Sequence, residues 1–383
     1  MDRLMIIKNA WRAISDTIKF FQTPQKERRL AFYSQGSADW PHIIHLLKAA
    51  LTNVDQRICY ISSSTSDPGL EYQHENLLSF YVGDKFIRDY FFQNMEIDNL
   101  ILTMPDIDRF QVKRSKHNIN YIYIPHSLVS LHMIYRNCAF KNYDVIACAG
   151  PHHLEEIKIL ANIDNHRPQK FVQLGYPRLD HLSRTIKLKS KTQFTKKNKT
   201  IVLAPSWGAN GIIESGLGYD IIKEILNLGY KIILRPHPQS VKFSQKQIAR
   251  ILASFDQDKN FKYESNMNDE TTLFDADILI SDWSGVALEF SFTTKRPVIF
   301  CDIPKKINNP NYKLVNLEPI EVKLRNQIGL IWQTDTSLAD TIKKCSTNSP
   351  SNIEDLISKY IYNLGKSDQK FINFLKNDLG LEN

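Results

Sequence analysis

Two stretches in the second half of the chain constrain its fold more than any other feature of the sequence. Each is a short apolar run, at residues 231–234 and 278–280, that ends abruptly in small or polar residues. Buried strands of parallel sheets have this pattern, with a loop at the carboxyl end of the strand. Because ligands of open α/β sheets bind at that edge, both turns predict a ligand-binding site.

The turn after residue 280 has the features of an anion-binding site. Ser284 and Gly285 stand where a helix is predicted to begin, since residues 286–292 continue with apolar positions at helical spacing. The N–H groups at a helix start attract anions, and glycine lets a ligand approach the backbone closely. Ser284 is therefore interpreted either as an ordinary helix cap or as a hydroxyl donor to a phosphate.

The turn after residue 234 reads Arg235-Pro-His-Pro238. Its two prolines restrict the backbone on both sides of His237, so the imidazole is expected to be held in one direction. Such rigid placement suits a phosphate ligand or a catalytic acid, with Arg235 beside it as a cation.

Similar apolar runs alternate with helical patterns along the chain, which is typical of doubly wound sheets. The predicted fold class is α/β, with two Rossmann-like domains facing a cleft. A helix is expected near residues 71–81 of the first domain. The predicted segments are an amphipathic helix at 1–29, an acceptor domain at 30–180, a basic linker at 181–199, a nucleotide-donor domain at 200–345 and C-terminal helices at 346–383.

Charge and composition narrow the possible partners. The net charge of +8 is concentrated at residues 1–30 and 181–199, and the remainder of the 383-residue chain is close to neutral. Two basic segments suit an anionic membrane surface better than a nucleic-acid groove, so no nucleic-acid partner is expected. The five cysteines show no Cys-x-x-Cys spacing, and no apolar run is long enough to span a bilayer, which predicts a cytoplasmic location.

The opening segment predicts an amphipathic helix. Leu4, Ile7, Trp11 and further apolar residues recur at steps of three and four, and cationic residues lie largely elsewhere around the helix. This pattern fits either a helix in the membrane interface, on the inner face of the cell membrane, or a surface helix docked on the core.

Two further residues stand at predicted strand ends of the first domain. His126 follows the apolar run at 121–124, and a histidine in that position is a candidate for catalysis because it titrates near working pH. Gly36 lies in a small-residue turn after the first strand, which indicates either close approach of a substrate or simply a tight turn.

Several motifs together resemble the CDP-glycerol glycerophosphotransferase family, which includes the teichoic-acid primases and polymerases and related capsule and lipopolysaccharide enzymes. The motifs are Pro125-His126-Ser127, Gly175-Tyr-Pro-Arg-Leu-Asp180, Arg235-Pro-His-Pro238, Ser281-Asp-Trp-Ser-Gly-Val286 and Arg296-Pro-Val-Ile-Phe300. The first of these departs from the Trp-His-Gly that is usual in teichoic-acid enzymes. The resemblance implies a GT-B-like architecture and transfer of a polyol phosphate from a CDP-activated donor to a lipid-linked or cell-surface glycan, without a cofactor.

This chemistry assigns a role to each candidate residue. His126 is expected to be the general base and His237 its catalytic partner at the donor phosphates. Asp282 and Asp180 are expected to orient histidines or to cap turns, and Arg178 to bind the transferring phosphate. The remaining predicted substrate-binding residues are Ser284 and Gly285 for the diphosphate, with Arg235 nearby, and Ser281, Gly36 and Ser127. Glu289 is expected either to meet the ribose hydroxyls or to have a turn-capping or surface role.

Two other functions remain open at this point. A GT-B glycosyltransferase that uses a UDP- or CMP-sugar has the same architecture. A nucleotide-binding module without turnover would require one of the two cleft histidines to be dispensable. The Asp-x-Asp pairs at 106–108 and 275–277 are common by chance, so no essential metal is expected.

Overall fold

The computed structural model describes residues 3–110, 112–189, 199–266, 269–347, 350 and 352–381. The chain divides into two compact units. The first unit is drawn from Met1–His126, Tyr135–Asp180 and Tyr360–Asn383, and the second from Ser127–Ile134 and His181–Lys359. The short segment Ser127–Ile134 therefore packs with the second unit although the chain on both sides of it belongs to the first.

The strands of the first unit form one parallel sheet. They are β1 (Leu30–Ser34), β2 (Ile58–Ser62), β3 (Leu77–Tyr81), β4 (Asn99–Leu102), β5 (Asn120–Tyr123), β6 (Val145–Cys148) and β7 (Lys170–Gln173). Their order across the sheet is β3-β2-β1-β4-β5-β6-β7. β1, β2, β4 and β6 are buried at every position, which explains why these segments are nearly continuous apolar runs.

The strands of the second unit form another parallel sheet. They are β8 (Thr200–Leu203), β9 (Lys231–Leu234), β10 (Phe261–Tyr263), β11 (Ile278–Ser281), β12 (Val298–Cys301) and β13 (Gly329–Trp332). Their order is β10-β9-β8-β11-β12-β13. This is the doubly wound 3-2-1-4-5-6 order. From β8 the chain adds strands on one side of the sheet as far as β10, and then on the other side from β11 to β13. The predicted α/β class with two Rossmann-like sheets is confirmed.

Helices connect the strands and flank both sheets. In chain order they are α1 (Arg3–Gln22), α2 (Trp40–Asn53), α3 (Lys85–Asn94), α4 (Leu131–Ile134), α5 (Pro151–Ile163), α6 (Pro177–Lys189), α7 (Leu217–Asn227), α8 (Pro238–Phe243), α9 (Gln245–Phe255), α10 (Thr271–Asp275), α11 (Val286–Thr294), α12 (Ile320–Lys323), α13 (Arg325–Ile328), α14 (Leu338–Thr347), α15 (Ile353–Tyr360) and α16 (Ser367–Leu379).

Three local expectations need correction. The helix predicted near residues 71–81 is wrong, because Leu77–Tyr81 is the edge strand β3, which pairs with β2 in register. The strands β7 and β13 were not predicted, since each is short and partly exposed. The predicted linker at 181–199 is helical as far as Lys189, where α6 ends, and residues 190–198 lie outside the described part of the chain.

The C-terminal helix α16 completes the core of the first unit. Phe371, Phe374 and Leu375 are buried there together with Phe32 and Leu46, and α16 packs against α2. The chain thus returns to its first unit after it has built the second.

Helix α1 is docked on the first unit by one narrow face. Phe20 is fully buried, and its ring centroid lies 5.3 Å from that of Phe80 and 4.7 Å from that of Phe91. The carboxylate of Asp16 accepts the main-chain N–H of Tyr81. Most apolar residues of the predicted amphipathic pattern are exposed, with 68% of Trp11 accessible to solvent; they are Leu4, Ile7, Trp11, Ile14 and Ile18.

We expect Phe20→Ala to lower the free energy of unfolding by about 3–5 kcal/mol, because it removes a large side chain from a packed aromatic cluster. Trp11→Ala on the same helix is the matched control and should change stability by less than about 0.5 kcal/mol. Denaturant unfolding of both variants measures the difference. Equal destabilisation by the two substitutions would contradict this description of the docked face.

Candidate active site

The loops at the carboxyl ends of β8 and β11 are joined by one buried carboxylate. Asp282 Oδ1 accepts the main-chain N–H groups of Ser206 and Trp283, each at 2.6 Å. Because β8 and β11 are neighbours at the point where the strand order reverses, this carboxylate lies where doubly wound sheets bind their ligands. Burial raises the pKa of Asp282, and the N–H donors oppose that effect. Asp282 thus fixes two loops and does not orient a histidine through these contacts.

His237 stands at the carboxyl end of β9 and caps helix α8. Its Nδ1 accepts the main-chain N–H of Gln239 at 3.1 Å, so a neutral imidazole carries its proton on Nε2. The ring centroid lies 6.0 Å from that of Trp207 in the loop after β8. The imidazole is therefore held by its own helix and has a neighbour from the adjacent strand end.

The turn after β11 leads directly into helix α11. Gly285 is the residue before the helix, and no side chain caps it. The carbonyl of Gly285 accepts the N–H groups of Leu288 and Glu289, whereas the hydroxyl of Ser284 bonds to no group in the described part of the chain. Ser284 thus does not cap the helix, and its hydroxyl remains available as a hydrogen-bond donor.

Ser127 lies directly against Gly285. A Cβ atom added to Gly285 would overlap the Ser127 hydroxyl, so glycine is needed for this close approach. The segment that carries Ser127 is anchored by Glu321, whose carboxylate accepts the N–H of Ser130 at 2.8 Å and its hydroxyl at 2.6 Å. The structure therefore brings together two predicted residues, Ser127 and Gly285, that are separated by more than 150 positions in the sequence.

Three other predicted residues of this unit are buried within it. The Arg235 guanidinium donates to the carbonyl of Asp269 and, at 2.9 Å, to the Thr272 hydroxyl. The Ser281 hydroxyl donates to the carbonyl of Ala204 at 2.7 Å, and only 5% of Glu289 is exposed. These contacts stabilise the sheet and its flanking helices, and the predicted contacts with a ligand stay predictions.

In the first unit, His126 lies in an aromatic environment at the carboxyl end of β5. Its Nε2 is 3.5 Å from the Tyr135 hydroxyl, and its ring centroid is 5.9 Å from that of His42. Burial lowers the pKa of His126 to about 4, and the main chain at Thr103 partly opposes this effect. The imidazole is therefore neutral at pH 7 and can accept a proton.

The other predicted residues of the first unit are divided between the histidine cluster and the frame around it. Burial is the main reason why the pKa of His42 is lowered, and the buried Arg178 lies close enough to lower it further. The carboxylate of Asp180 accepts the N–H groups of Gly365 and Ser367, so it connects α6 to the segment before α16. Gly36 faces Ser64 of the loop after β2, where an added Cβ would lie 3.1 Å from the Ser64 Cβ, slightly closer than usual contact.

The two acidic pairs have structural partners. Asp106 forms ion pairs with Arg109 and Arg136, and Asp277 accepts the main-chain N–H of Thr200 at 2.7 Å. Among the described residues, no cluster of three histidine, cysteine, aspartate or glutamate side chains is arranged to hold a metal ion. Across the same ranges, none of the helices has the length and apolar character needed to cross a membrane.

Sequence reasoning missed three residues that lie beside the predicted ones. His42 lies in the first turn of α2, and its Nδ1 is 3.3 Å from the Tyr176 hydroxyl. Trp207 lies in the loop after β8, and Lys306 lies in the loop after β12. Trp207 had a visible signal, since its loop contains two glycines directly after a predicted strand. His42 and Lys306 had none, because only the folded sheet places them at the carboxyl edge.

The two parallel sheets and their flanking helices form two Rossmann-like units, the architecture of the GT-B type. The family model described as CDP-Glycerol:Poly(glycerophosphate) glycerophosphotransferase matches residues 134–370, well over half of the chain. The protein therefore belongs to this glycerophosphotransferase family, and the resemblance seen in the motifs is confirmed. A comparison with curated proteins finds no match to the sequence.

Solved structures with the same fold share little sequence with this chain. A variant of the wall teichoic acid polymerase TagF, soaked with CDPG, has a TM-score of 0.55 at 14% identity, with 99% of each chain covered. A UDP-GlcNAc 2-epimerase of Methanocaldococcus jannaschii has a TM-score of 0.57 at 11% identity, covering 91% of this chain and 99% of the epimerase. Anabaena HepE, in complex with UDP and glucose, has a TM-score of 0.51 at 12% identity with the same coverage.

We expect Gly285→Val to weaken binding of CDP strongly, because a branched side chain would displace Ser127 from the helix start. The measurement is calorimetric titration with CDP, with circular dichroism to verify folding. Gly285→Val combined with Ser127→Gly removes the overlapping hydroxyl and serves as the control, which should regain part of the affinity. Unchanged CDP affinity in a folded Gly285→Val variant would place the phosphates elsewhere.

Proposed function

We propose that this protein transfers a glycerol phosphate, or a related polyol phosphate, from a CDP-activated donor to a hydroxyl of a lipid-linked or cell-surface glycan. The observation that carries the proposal is the set of donor groups at the carboxyl edge of the second sheet. His237, Ser284 and the start of α11 follow β9 and β11, and Ser127 is packed against the same helix start. Hydrogen-bond donors on a helix N-terminus suit a diphosphate.

The donor would be held by groups of three kinds. The main-chain N–H groups at the start of α11 and the Ser284 hydroxyl donate to phosphate oxygens, and the helix dipole adds positive potential. His237 donates from Nε2, because its Nδ1 is engaged with Gln239. Gly285 allows the phosphates to approach the backbone, and the Ser127 hydroxyl borders the same space.

The reaction is a displacement at the phosphorus that carries the glycerol. The acceptor hydroxyl oxygen forms a new bond to this phosphorus while the phosphoanhydride bond to the bridging oxygen breaks. His126 takes the proton of the hydroxyl, and the bridging oxygen keeps the electron pair and leaves as part of CMP. Positioning and electrostatic stabilisation supply most of the rate in such transfers, which suits a site made of fixed donors.

The low pKa of His126 determines when the base is active. Burial lowers this pKa to about 4, so the imidazole is unprotonated throughout the neutral range and becomes charged only in acid. A base with a low pKa removes a proton only in step with bond formation to phosphorus, as expected for general base catalysis. The Tyr135 hydroxyl beside Nε2 can orient the ring for this step.

The exposed face of α1 supports attachment to the inner surface of the cell membrane. Leu4, Ile7 and Trp11 are each more than half exposed, and Phe86 and Tyr90 of α3 are also exposed, at 81% and 53%. α3 packs against α1. An apolar strip with flanking cations such as Lys8 favours an anionic bilayer, where the lipid-linked acceptor is held. The cell-surface polymer that receives the group would be a teichoic acid, a capsule or a related polysaccharide.

We expect the two histidine variants to fail in different ways. His126→Ala should bind CDP nearly as well as the wild type while kcat for transfer from CDP-glycerol falls by roughly 10²–10⁴, the usual effect of removing a general base. His237→Ala should also weaken CDP binding, because it removes a donor to the phosphates. Full turnover by His126→Ala would show that another group is the base.

The pH dependence gives an independent check of this base. Since the pKa of His126 lies near 4 in the folded protein, protonation of its ring should reduce kcat/KM only as the pH falls towards 4. The wild type should therefore show no loss attributable to this histidine between pH 7.5 and 5.5. A decline centred near the ordinary histidine pKa that disappears in His126→Ala would contradict the buried, neutral state described above.

Trp11→Glu should reduce co-sedimentation with anionic liposomes by roughly 10- to 100-fold in partition coefficient, because an apolar side chain of this size contributes about 1.5–3 kcal/mol when buried. Ile163→Glu, at an exposed position on α5, is the matched control and should sediment like the wild type. If Trp11→Glu pellets with liposomes as well as the control does, the exposed face of α1 does not bind lipid.

A further inference from the structure

Lys306 lies beside the aromatic side chain of the β8 loop in the second unit. It follows β12 by five residues, and its Nζ is 4.6 Å from the centroid of the Trp207 ring. The side chain is half-buried, so its ammonium group is held against the indole face and away from bulk water. A lysine in such a position has lost hydration that a cation–π contact replaces only in part.

The surroundings of this ammonium group lack a direct counterion. No carboxylate forms an ion pair with Lys306 within 4.0 Å in the part of the chain that the structure describes. Burial has the largest effect on this group and lowers the pKa of Lys306 to about 8. Asp282 and Glu214 raise this pKa, but they act from beyond ion-pair distance. The group is thus a desolvated cation whose charge is not neutralised by a neighbour.

Both acidic groups are already engaged in hydrogen bonds. Asp282 Oδ1 accepts two main-chain N–H groups, and its buried Oδ2 has no hydrogen-bond partner among the described residues. Glu214 Oε1 accepts the hydroxyls of Ser240 and Ser244. These bonds hold both carboxylates in the loops while Lys306 remains on the Trp207 ring.

Trp207 also connects Lys306 to the candidate donor site. The indole centroid is 4.6 Å from Lys306 Nζ and 6.0 Å from the imidazole centroid of His237. The ammonium and the Nε2–H of His237 are therefore two donors next to one aromatic ring. Both belong to loops that follow strands of the same sheet, at the edge where a ligand is expected.

We propose that Lys306 is a further ligand of the donor diphosphate, which it reaches by leaving the face of Trp207 when the donor binds. This inference rests on the proposed function and names a residue that none of the sequence motifs contains. An ammonium group on a flexible stem suits this task, because it can follow the charge that develops on the bridging oxygen as CMP leaves. The anion also supplies the counterion that the resting site lacks.

Titration of CDP into Lys306→Met at pH 7.5 tests the proposal. A charge-assisted hydrogen bond to phosphate is worth about 1.5–3 kcal/mol, so we expect CDP affinity to fall roughly 10- to 100-fold. Affinity for cytidine, which has no phosphate, should not change. Unaltered CDP affinity in a folded Lys306→Met variant would overturn the proposal.

The pH dependence of CDP affinity in Lys306→Arg distinguishes a phosphate contact from a purely structural role of Lys306. In the wild type the ammonium group loses its proton as the pH rises through about 8, so CDP affinity should fall roughly five- to tenfold between pH 7.5 and 9. The groups near Lys306 that also titrate or carry charge are Asp282, Glu214 and His237, and these are the same in both proteins. A guanidinium stays charged at pH 9, so the loss should disappear in Lys306→Arg. The same loss in both proteins would overturn the proposal even if Lys306→Met fails to fold.

Ser284→Ala separates a failure of this inference from a failure of the proposed function. If Ser284→Ala weakens CDP binding and Lys306→Met does not, the donor site stands and Lys306 is not part of it. If the wild type itself does not bind CDP, the proposed function fails, and the inference fails with it.

Discussion

The loops at the carboxyl edge of the second sheet depend on the buried carboxylate of Asp282. By accepting the N–H groups of Ser206 and Trp283, it fixes the loops after two neighbouring strands at the point where the strand order reverses. Trp207 directly follows Ser206 in the sequence, and Ser284 directly follows Trp283. Burial raises the pKa of this carboxyl, and the two N–H donors offset part of that cost. The geometry of the candidate site thus follows from one interaction between loops.

The candidate residues of the two units lie in environments with opposite electrostatic properties. His126 is kept neutral by burial among aromatic rings, so it can accept a proton, whereas the groups around His237 are hydrogen-bond donors that suit an anion. Ser127, the residue after His126 in the sequence, packs against Gly285 within the second unit. Glu321 holds this connecting segment through Ser130. A change in this anchor would therefore affect how Ser127 packs against the start of α11.

Much of the fold could be predicted because buried parallel strands leave continuous apolar runs. Residues 231–234 and 278–280 are strands that end where polar residues begin, and the turn at Gly285 starts a helix. Leu77–Tyr81 was misread because an edge strand carries the same residue types as a short amphipathic helix. Arg235 was expected at a phosphate, but its burial against Thr272 depends on tertiary packing. Lys306 could not be found from local patterns, since its neighbours come from other strand ends.

The central claim is that this protein breaks a phosphoanhydride bond and transfers a phosphate-containing group. The most direct test is to identify the nucleotide released when the protein acts on CDP-glycerol, on UDP-sugars and on CMP-sugars with a lipid-linked glycan acceptor. The account predicts release of CMP from CDP-glycerol together with an acceptor that has gained the mass of glycerol phosphate. Release of UDP from a UDP-sugar, or of CMP from a CMP-sugar, with a sugar added to the acceptor would contradict it and identify a glycosyltransferase.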